Sequence, residues 1–299
     1  MNLTIATTLD EALAAVAAGA RPVAGGSDLV VGARQGKAPL PESVVAIDRI
    51  TSLGGIEASS DGIDIGALVT HAVLEGHATI VGTYTALADA SALVGSPSTR
   101  NVGTLGGNVM NASPAMDTGA PLVVFGAEVE LRSTTGSRRV AVADLWTGPG
   151  RTSAKSDELC TLIHLPARPD GSGSAYVRLE YRRAMEIAVV GAAASVSLDA
   201  DGTVRALSIA LTAVAPTIIP VAGTDALLGR QVDESLLADV ASLASDSAVP
   251  ISDLRASDRY RRHCVGVMAR RAVDAAARRA RGESITVPVN RSLGIGAAS

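Results

Sequence analysis

Two short stretches, Ala24-Gly25-Gly26-Ser27-Asp28 and Thr104-Leu105-Gly106-Gly107-Asn108, carry most of the chemistry this chain could perform. In each, paired glycines beside a hydroxyl let backbone N–H groups point one way and let an anion approach the main chain, because no Cβ stands between them. The chemistry is phosphate binding. Taken singly, a Gly-Gly pair can equally just turn a strand corner. What tips the balance toward a phosphate cradle is that the chain holds two such turns. The second turn lies in a longer run, Arg100 to Asp117, that adds amides at Asn101, Asn108 and Asn111 and a carboxylate at Asp117.

No other constellation competes. Cys160 and Cys264 are the only cysteines, too few for a disulfide framework, a zinc site or an iron–sulfur cluster, so any metal redox centre must sit on another chain. His71 and His77 are six apart, which is wrong for a shared ligating face of one helix, and read as ordinary surface or packing residues. No Ser/His/Asp set or carboxylate pair calls for a bond-breaking step. A net charge of −4 with interspersed signs, and 2% aromatic residues, argue against nucleic-acid binding and make Phe125, Trp146, Tyr176 and Tyr181 conspicuous. No apolar run approaches the roughly 18 residues of a membrane span, and Met1 to Ile5 lacks the basic start of a signal peptide. The expectation is a cytoplasmic protein.

The elements that must hold the two turns follow from patterning. Thr8-x-x-Glu11 is a capping box opening a helix from Leu9 to Ala18, with Gly19 beyond it. Arg21 to Ala24 reads as a strand feeding the first turn and a helix through Arg34, and Val44 to Asp48 as a further strand. The G-x-G-x-x-G spacing is absent from both turns, which excludes a Rossmann unit. Ile56 to Ala58 and Ile63 to Gly66 form a hairpin, and helices are expected at Thr70 to Glu75 and Val81 to Leu93. After the second turn come a helix from Ala115 to Phe125, a hairpin of Glu128 to Arg132 with Arg138 to Ala141, a loop from Asp144 to Gly150 and a strand from Glu158 to Leu165. Ala167 to Gly173 reads as a linker with nothing to bury. Three strands then follow, Tyr176 to Glu180, Ala188 to Leu198 and Val204 to Ala213, before helices at Val221 to Leu228, Glu234 to Leu243 and Ser257 to Ala280. Boundaries fall at residues 1–54, 55–173 and 174–299.

With both turns, Arg100-Asn101-Val102-Gly103-Thr104-Leu105-Gly106-Gly107-Asn108, the downstream Asp117, Trp146-Thr147-Gly148-Pro149-Gly150-Arg151-Thr152 and Tyr181-Arg182-Arg183, the chain closely resembles the FAD-binding medium subunits of the molybdenum hydroxylases. These include the flavoproteins of xanthine dehydrogenase-like and carbon monoxide dehydrogenase-like enzymes. The resemblance spans nearly the whole chain. It implies an α+β architecture: a two-subdomain FAD-binding fold of the vanillyl-alcohol-oxidase (PCMH) type, then a small α+β domain with a three-stranded antiparallel sheet.

The resemblance implies FAD across the first two subdomains. Pro22, Val23, Ala24, Gly25, Gly26, Ser27, Asp28 and Leu29 would line one half of its site, and Thr104, Leu105, Gly106, Gly107 and Asn108 the other. Asp117 would accept hydrogen bonds from the cofactor or cap the helix beginning near Thr118. Val94, Cys160 and Leu162 would wall the flavin, with Tyr176 and Arg178 near the ring. Arg178 stands where relatives often have lysine, and Glu186 where aspartate is common; both keep charge and change reach. The implied function is electron transfer through FAD, from iron–sulfur (2Fe-2S) clusters on a small partner chain to NAD, a quinone or oxygen. The molybdenum cofactor would sit on a large molybdopterin-binding partner. An alternative is a free-standing FAD-dependent oxidoreductase acting on a small metabolite, with Tyr176 or Tyr181 as its acid or base. A scaffold with a decayed flavin site is a third.

Overall fold

The computed structural model describes residues 2–36 and 39–295. The chain opens with β1 (Asn2–Ile5), α1 (Leu9–Ala17), β2 (Arg21–Val23), α2 (Ser27–Arg34) and β3 (Ser43–Ala46), whose strands form a parallel sheet ordered β1-β3-β2. The capping box at Thr8 and Glu11 is formed. Ala12, Leu13 and Val16 of α1 bury a stripe with Val45, Ile47 and Leu53. β1 adds a strand to those expected from the sequence; it is four residues long and exposed throughout.

The second unit is an antiparallel sheet ordered β4-β5-β10-β6-β7, from β4 (Ile56–Ser59), β5 (Gly62–Gly66), β6 (Glu128–Ser133), β7 (Gly136–Ala141) and β10 (Leu159–Pro166). Between β5 and β6 run α3 (His71–Leu74), α4 (Ala78–Thr83), α5 (Thr85–Ser91), α6 (Pro97–Val102), α7 (Leu105–Asn111) and α8 (Gly119–Val124). The single helix expected from Val81 is thus two, parted at Tyr84, whose ψ of 44° leaves the helical region. Tyr84 packs edge-on against Phe125 at 5.3 Å and donates to the Pro166 carbonyl at 2.9 Å, tying the helices to the sheet. The helix expected from Ala115 begins only at Gly119. The expected loop from Asp144 holds the end of α9 (Val142–Leu145) and a small hairpin of β8 (Trp146–Gly148) and β9 (Arg151–Thr152).

The third unit corrects the sheet count. β11 (Ser172–Leu179), β12 (Val190–Leu198), β13 (Val204–Thr212) and β14 (Ile219–Pro220) make four antiparallel strands, not three. β14 is two residues long and ends in proline, too short for a periodicity to reveal. Val221 to Leu228 holds only a 3-10 turn, Thr224–Leu227, while α10 (Glu234–Ser247) outruns its expected end. α11 (Asp258–Ala280) covers β11 and β12 with Cys264, Val265, Met268, Ala272 and Ala276, and α12 (Val289–Ser292) follows. Nor is Ala167 to Gly173 simply a linker. Gly173 lies under α11 so closely that a Cβ there would stand 2.2 Å from the Ala276 carbonyl oxygen.

One buried carboxylate binds the third unit to the second. Asp89 on α5 is fully enclosed and accepts from the Tyr176 N–H at 3.1 Å, the Val289 N–H at 3.0 Å and Arg279 at 2.6 and 3.0 Å. Burial pushes its carboxyl up, while Arg279 and the two amides hold it down.

Candidate functional site

The two glycine turns meet. A Cβ on Gly25 would fall 1.7 Å from the Val102 carbonyl oxygen, so only glycine lets the first turn lie against the end of α6. Beneath the junction is His71, 1% exposed, whose N–H donates to the Gly103 carbonyl at 3.1 Å. Its Nδ1 is buried without a hydrogen-bond partner. Burial, with Arg100 adding repulsion, pushes the imidazole down to about 4, so it is neutral at physiological pH. Arg100 is held by Glu75 at 2.9 Å and donates to the Val94 carbonyl at 3.2 Å. By sequence His71 reads as an ordinary surface or packing residue; only its position between the turns distinguishes it.

The turns differ in what they offer an anion. α2 starts at Gly26, which adopts the left-handed conformation (φ 67°) and caps with no side chain. The N–H groups of Ser27, Asp28 and Leu29 have no hydrogen-bond partner among the described residues. These free donors at the positive end of a helix suit a phosphate. Pro22, Val23, Ala24, Ser27 and Leu29 around them are half-buried, and Asp28 is exposed.

In α7 the donors are already committed. Leu105 N–H goes to the Val69 carbonyl and Gly106 N–H to that of Ala67, both at 2.9 Å; Gly107 N–H goes to Thr104 Oγ1 at 3.1 Å and Asn108 N–H to the Thr104 carbonyl at 3.0 Å. Gly106 is buried, and a Cβ on it would stand 2.6 Å from Ala67 Cβ and 2.8 Å from its carbonyl oxygen. Gly107 is exposed and would meet only Thr104 Oγ1, at 2.9 Å. One glycine of the pair therefore serves packing, and the other presents bare backbone outward. Asn108 accepts from Thr118 Oγ1 at 2.6 Å. Trp146 pins the helix by donating to the Val109 carbonyl at 2.9 Å.

Asp117 caps no helix. Its carboxylate takes the Tyr176 hydroxyl at 2.8 Å and Arg178 Nη1 at 2.7 Å, and Arg178 also pairs with Glu180 at 2.7 Å. Tyr176 and Arg178 are completely buried on β11, so the network joins the second and third units from within. Burial raises the Asp117 carboxyl, against the pull of Arg178. For Arg178 burial opposes the charge, but Asp117 and Glu180 outweigh it and hold the guanidinium charged. Burial, then Asp117, lifts the Tyr176 phenol well above its ordinary value. An enclosed phenol so raised is unsuited to acid–base exchange with a substrate. Tyr181 is 58% exposed and donates to the Arg255 carbonyl at 2.7 Å.

The proposed flavin wall separates. A bulge between Cys160 and Leu162 breaks the alternation that would place both on one face. Cys160 is buried in the core, where enclosure pushes its thiol up to about 12 and makes it inert, whereas Leu162 and Val94 are half-buried. Among the described residues no His/Cys/Asp/Glu group could hold a metal, and no helix is long and apolar enough to cross a membrane.

Comparison with known proteins matches residues 1–168 to the family described as FAD binding domain in molybdopterin dehydrogenase, and residues 175–276 to the CO dehydrogenase flavoprotein C-terminal domain. The carbon monoxide dehydrogenase medium chain of Afipia carboxidovorans is 35% identical over 265 residues, covering 88% of this chain and 90% of that one. The xanthine dehydrogenase FAD-binding subunit of Escherichia coli is 31% identical over 275 residues, covering 88% and 91%. A crystal structure of cyanide-inactivated Cu,Mo-CO dehydrogenase superposes with a TM-score of 0.89 at 32% identity, over 93% of this chain and 98% of that one. Quinoline 2-oxidoreductase from Pseudomonas putida gives a TM-score of 0.87 at 26% identity over 94% and 98%. With its two glycine turns joined through Gly25 and Val102, the chain belongs to the FAD-binding subunits of the molybdopterin dehydrogenases.

Proposed function

We propose that this chain is the electron-transfer subunit of a molybdenum-dependent dehydrogenase, receiving electrons from iron–sulfur clusters on a small partner chain and passing them to a diffusible acceptor. A large molybdopterin-binding partner would oxidise the substrate. The observation that carries the reading is the α2 N-terminus: three unpartnered N–H groups behind a left-handed Gly26, in a chain whose relatives are FAD subunits. Bound FAD would supply the exchange between single-electron and paired-electron transfer.

In this reading the N–H groups of Ser27, Asp28 and Leu29 hold one phosphate, with Pro22 through Gly26 shaping the approach. Thr104 through Asn108 form the opposing bank, where exposed Gly107 admits the cofactor closely and buried Gly106 fixes the bank to Ala67. Val94 and Leu162 supply apolar wall. Asp117, Tyr176 and Arg178 set the angle between the second and third units behind the ring. Neutral, buried His71 backs the junction beside Arg100 without setting a negative charge against a phosphate.

The test is to purify the tagged chain with the products of its neighbouring genes. Flavin absorbance together with a co-purifying iron–sulfur chain, and flavin bleaching by the complex's substrate, are expected. A chain that binds no flavin and retains no iron–sulfur partner would refute the reading. Enclosed, acidity-poor Tyr176 weighs against direct chemistry on a metabolite by the isolated chain.

A further inference from the structure

The helix that begins at the free N–H groups is held by little else. α1, α10 and α11 each bury a stripe of side chains, whereas none of the eight residues of α2 is buried. Its inner stripe at helical spacing, Leu29, Gly32 and Ala33, is only half-buried, and Val30 and Val31 are exposed. No α2 residue belongs to, or packs against, any of the three apolar clusters. Among the described residues no α2 side chain makes a hydrogen bond or ion pair with another part of the chain. Gly25 against Val102 and the pairing of β2 with β3 fix where the helix starts, and nothing of that kind fixes its body.

Eight residues are too few for a helix to stand alone in water. Its first turn must be fixed before propagation offsets the cost, and isolated helices below about 12–15 residues are marginal. Burial of an apolar face ordinarily makes up the difference, and α2 has none to bury. Gly32 in its middle lowers the helical propensity further. A Cβ there would meet nothing within 4 Å, so no close approach calls for the glycine. Asp28 in the first turn and Arg34 in the last suit the helix dipole, a surface effect that salt screens. What remains is the N-terminus, where the N–H groups of Ser27, Asp28 and Leu29 converge only while the first turn is helical. An anion there satisfies those donors and complements the dipole, and both gains vanish if the turn unwinds. A phosphate therefore binds the helix and not the unwound segment, and a ligand with that preference draws the segment into the helix.

We propose that α2 is a clamp that folds with its cofactor: residues 27–34 are largely unwound in the flavin-free chain and close into the helix on a phosphate of FAD, with Gly32 setting how much of the binding free energy that closure consumes. The proposal rests on the FAD reading above and adds the coupling. Gly32 lies beyond the three donors and meets no phosphate, yet it governs the affinity.

The experiment follows amide hydrogen exchange and FAD titration on the full-length chain, in its complex where partners co-purify, with the flavin removed and then restored. The amides of residues 30–35, which bond within α2, should exchange freely without FAD and slow by about tenfold or more with it. Those of α5, buried on nearly every side, should exchange slowly in both states. Gly32→Ala favours the helix and should tighten FAD binding by up to about fivefold, the propensity difference between the two residues, and Ala33→Gly should weaken it by a similar factor. Gly82→Ala is the control, because Gly82 lies in α4 and a Cβ there also meets nothing within 4 Å. Its helix gains the same propensity, and its FAD affinity should equal that of the wild type. Equal protection of α2 with and without FAD overturns the proposal; if that protection appears only in the complex, a partner holds the helix instead. Unchanged affinity in both α2 variants overturns it too, as does an equal gain from Gly82→Ala. A complex that binds no FAD refutes the proposed function, whereas FAD that binds and leaves α2 exchange unaltered refutes the clamp alone.

Discussion

Replacing Gly106 and Gly107 separately by alanine should give opposite outcomes. At Gly106 the added Cβ would stand 2.6 Å from Ala67 Cβ, 2.8 Å from its carbonyl oxygen and 3.0 Å from its Cα, all parts of a fixed backbone segment. The helix must move, and the 2.9 Å bond from Gly106 N–H to the Ala67 carbonyl goes with it. Overpacking costs about 1–3 kcal/mol and the lost bond roughly 1 kcal/mol, so a loss of about 2–4 kcal/mol is expected. For a unit of this size that lowers the melting temperature by roughly 4–16 °C. At Gly107 the Cβ meets only the Thr104 hydroxyl at 2.9 Å. The gain from alanine in a helix, about 0.5–1 kcal/mol, then offsets a weakened cap of about 1 kcal/mol. Thermal melting of the FAD-free chain measures both. Flavin fluorescence quenching should separate them further: a bulkier Gly107→Val keeps the fold and loses FAD. Equal destabilisation by the two alanines, or a tolerated Gly106→Ala, would refute the division of labour between them.

Three further outcomes are expected. Gly25→Ala forces a methyl to within 1.7 Å of the Val102 carbonyl oxygen, parts the two turns and should abolish FAD retention in a titration followed by flavin fluorescence. Arg178→Met strands the buried carboxylates of Asp117 and Glu180 and should destabilise the protein by about 3–5 kcal/mol in denaturant titration, with Asp117→Asn in the same chain recovering part of it. His71, pushed down from 6.5 to about 4, is unprotonated in the folded chain where the unfolded chain is already charged. Its contribution to stability is therefore complete above its ordinary value and is lost as pH falls toward the folded value, about 3 kcal/mol in all. Raised Asp117 works in the opposite sense, favouring the fold at lower pH. His71→Leu should flatten the fall in melting temperature across the His71 window.

The sequence made the first helix, both glycine turns, the hairpins and the long α11 legible, because capping chemistry and apolar period are local. It could not show that Gly106 faces Ala67 while Gly107 faces outward, since that depends on a neighbour 39 residues away. Nor could it place the Asp117 carboxylate. Electrostatics made it a hydrogen-bond acceptor for a cofactor or a cap, and the partners it found, Tyr176 and Arg178, lie 59 and 61 residues on. The bulge that divides Cys160 from Leu162 and the two-residue β14 leave no periodic trace either. The resemblance supplied the arrangement of the FAD turns; the backbone donors show which turn has N–H groups to spare.

The carboxylate of Asp89 gives the order of synthesis a consequence. Its partners lie 87, 190 and 200 residues further along the chain, at Tyr176, Arg279 and Val289. When α5 emerges from the ribosome, the cation that will neutralise its buried acid does not yet exist. Until residue 279 has been made, closing α5 against β11 would bury that acid without its cation, and a carboxyl so enclosed is pushed toward its protonated form. The tie between the second and third units is therefore completed late in the order of synthesis, by residues 279 and 289.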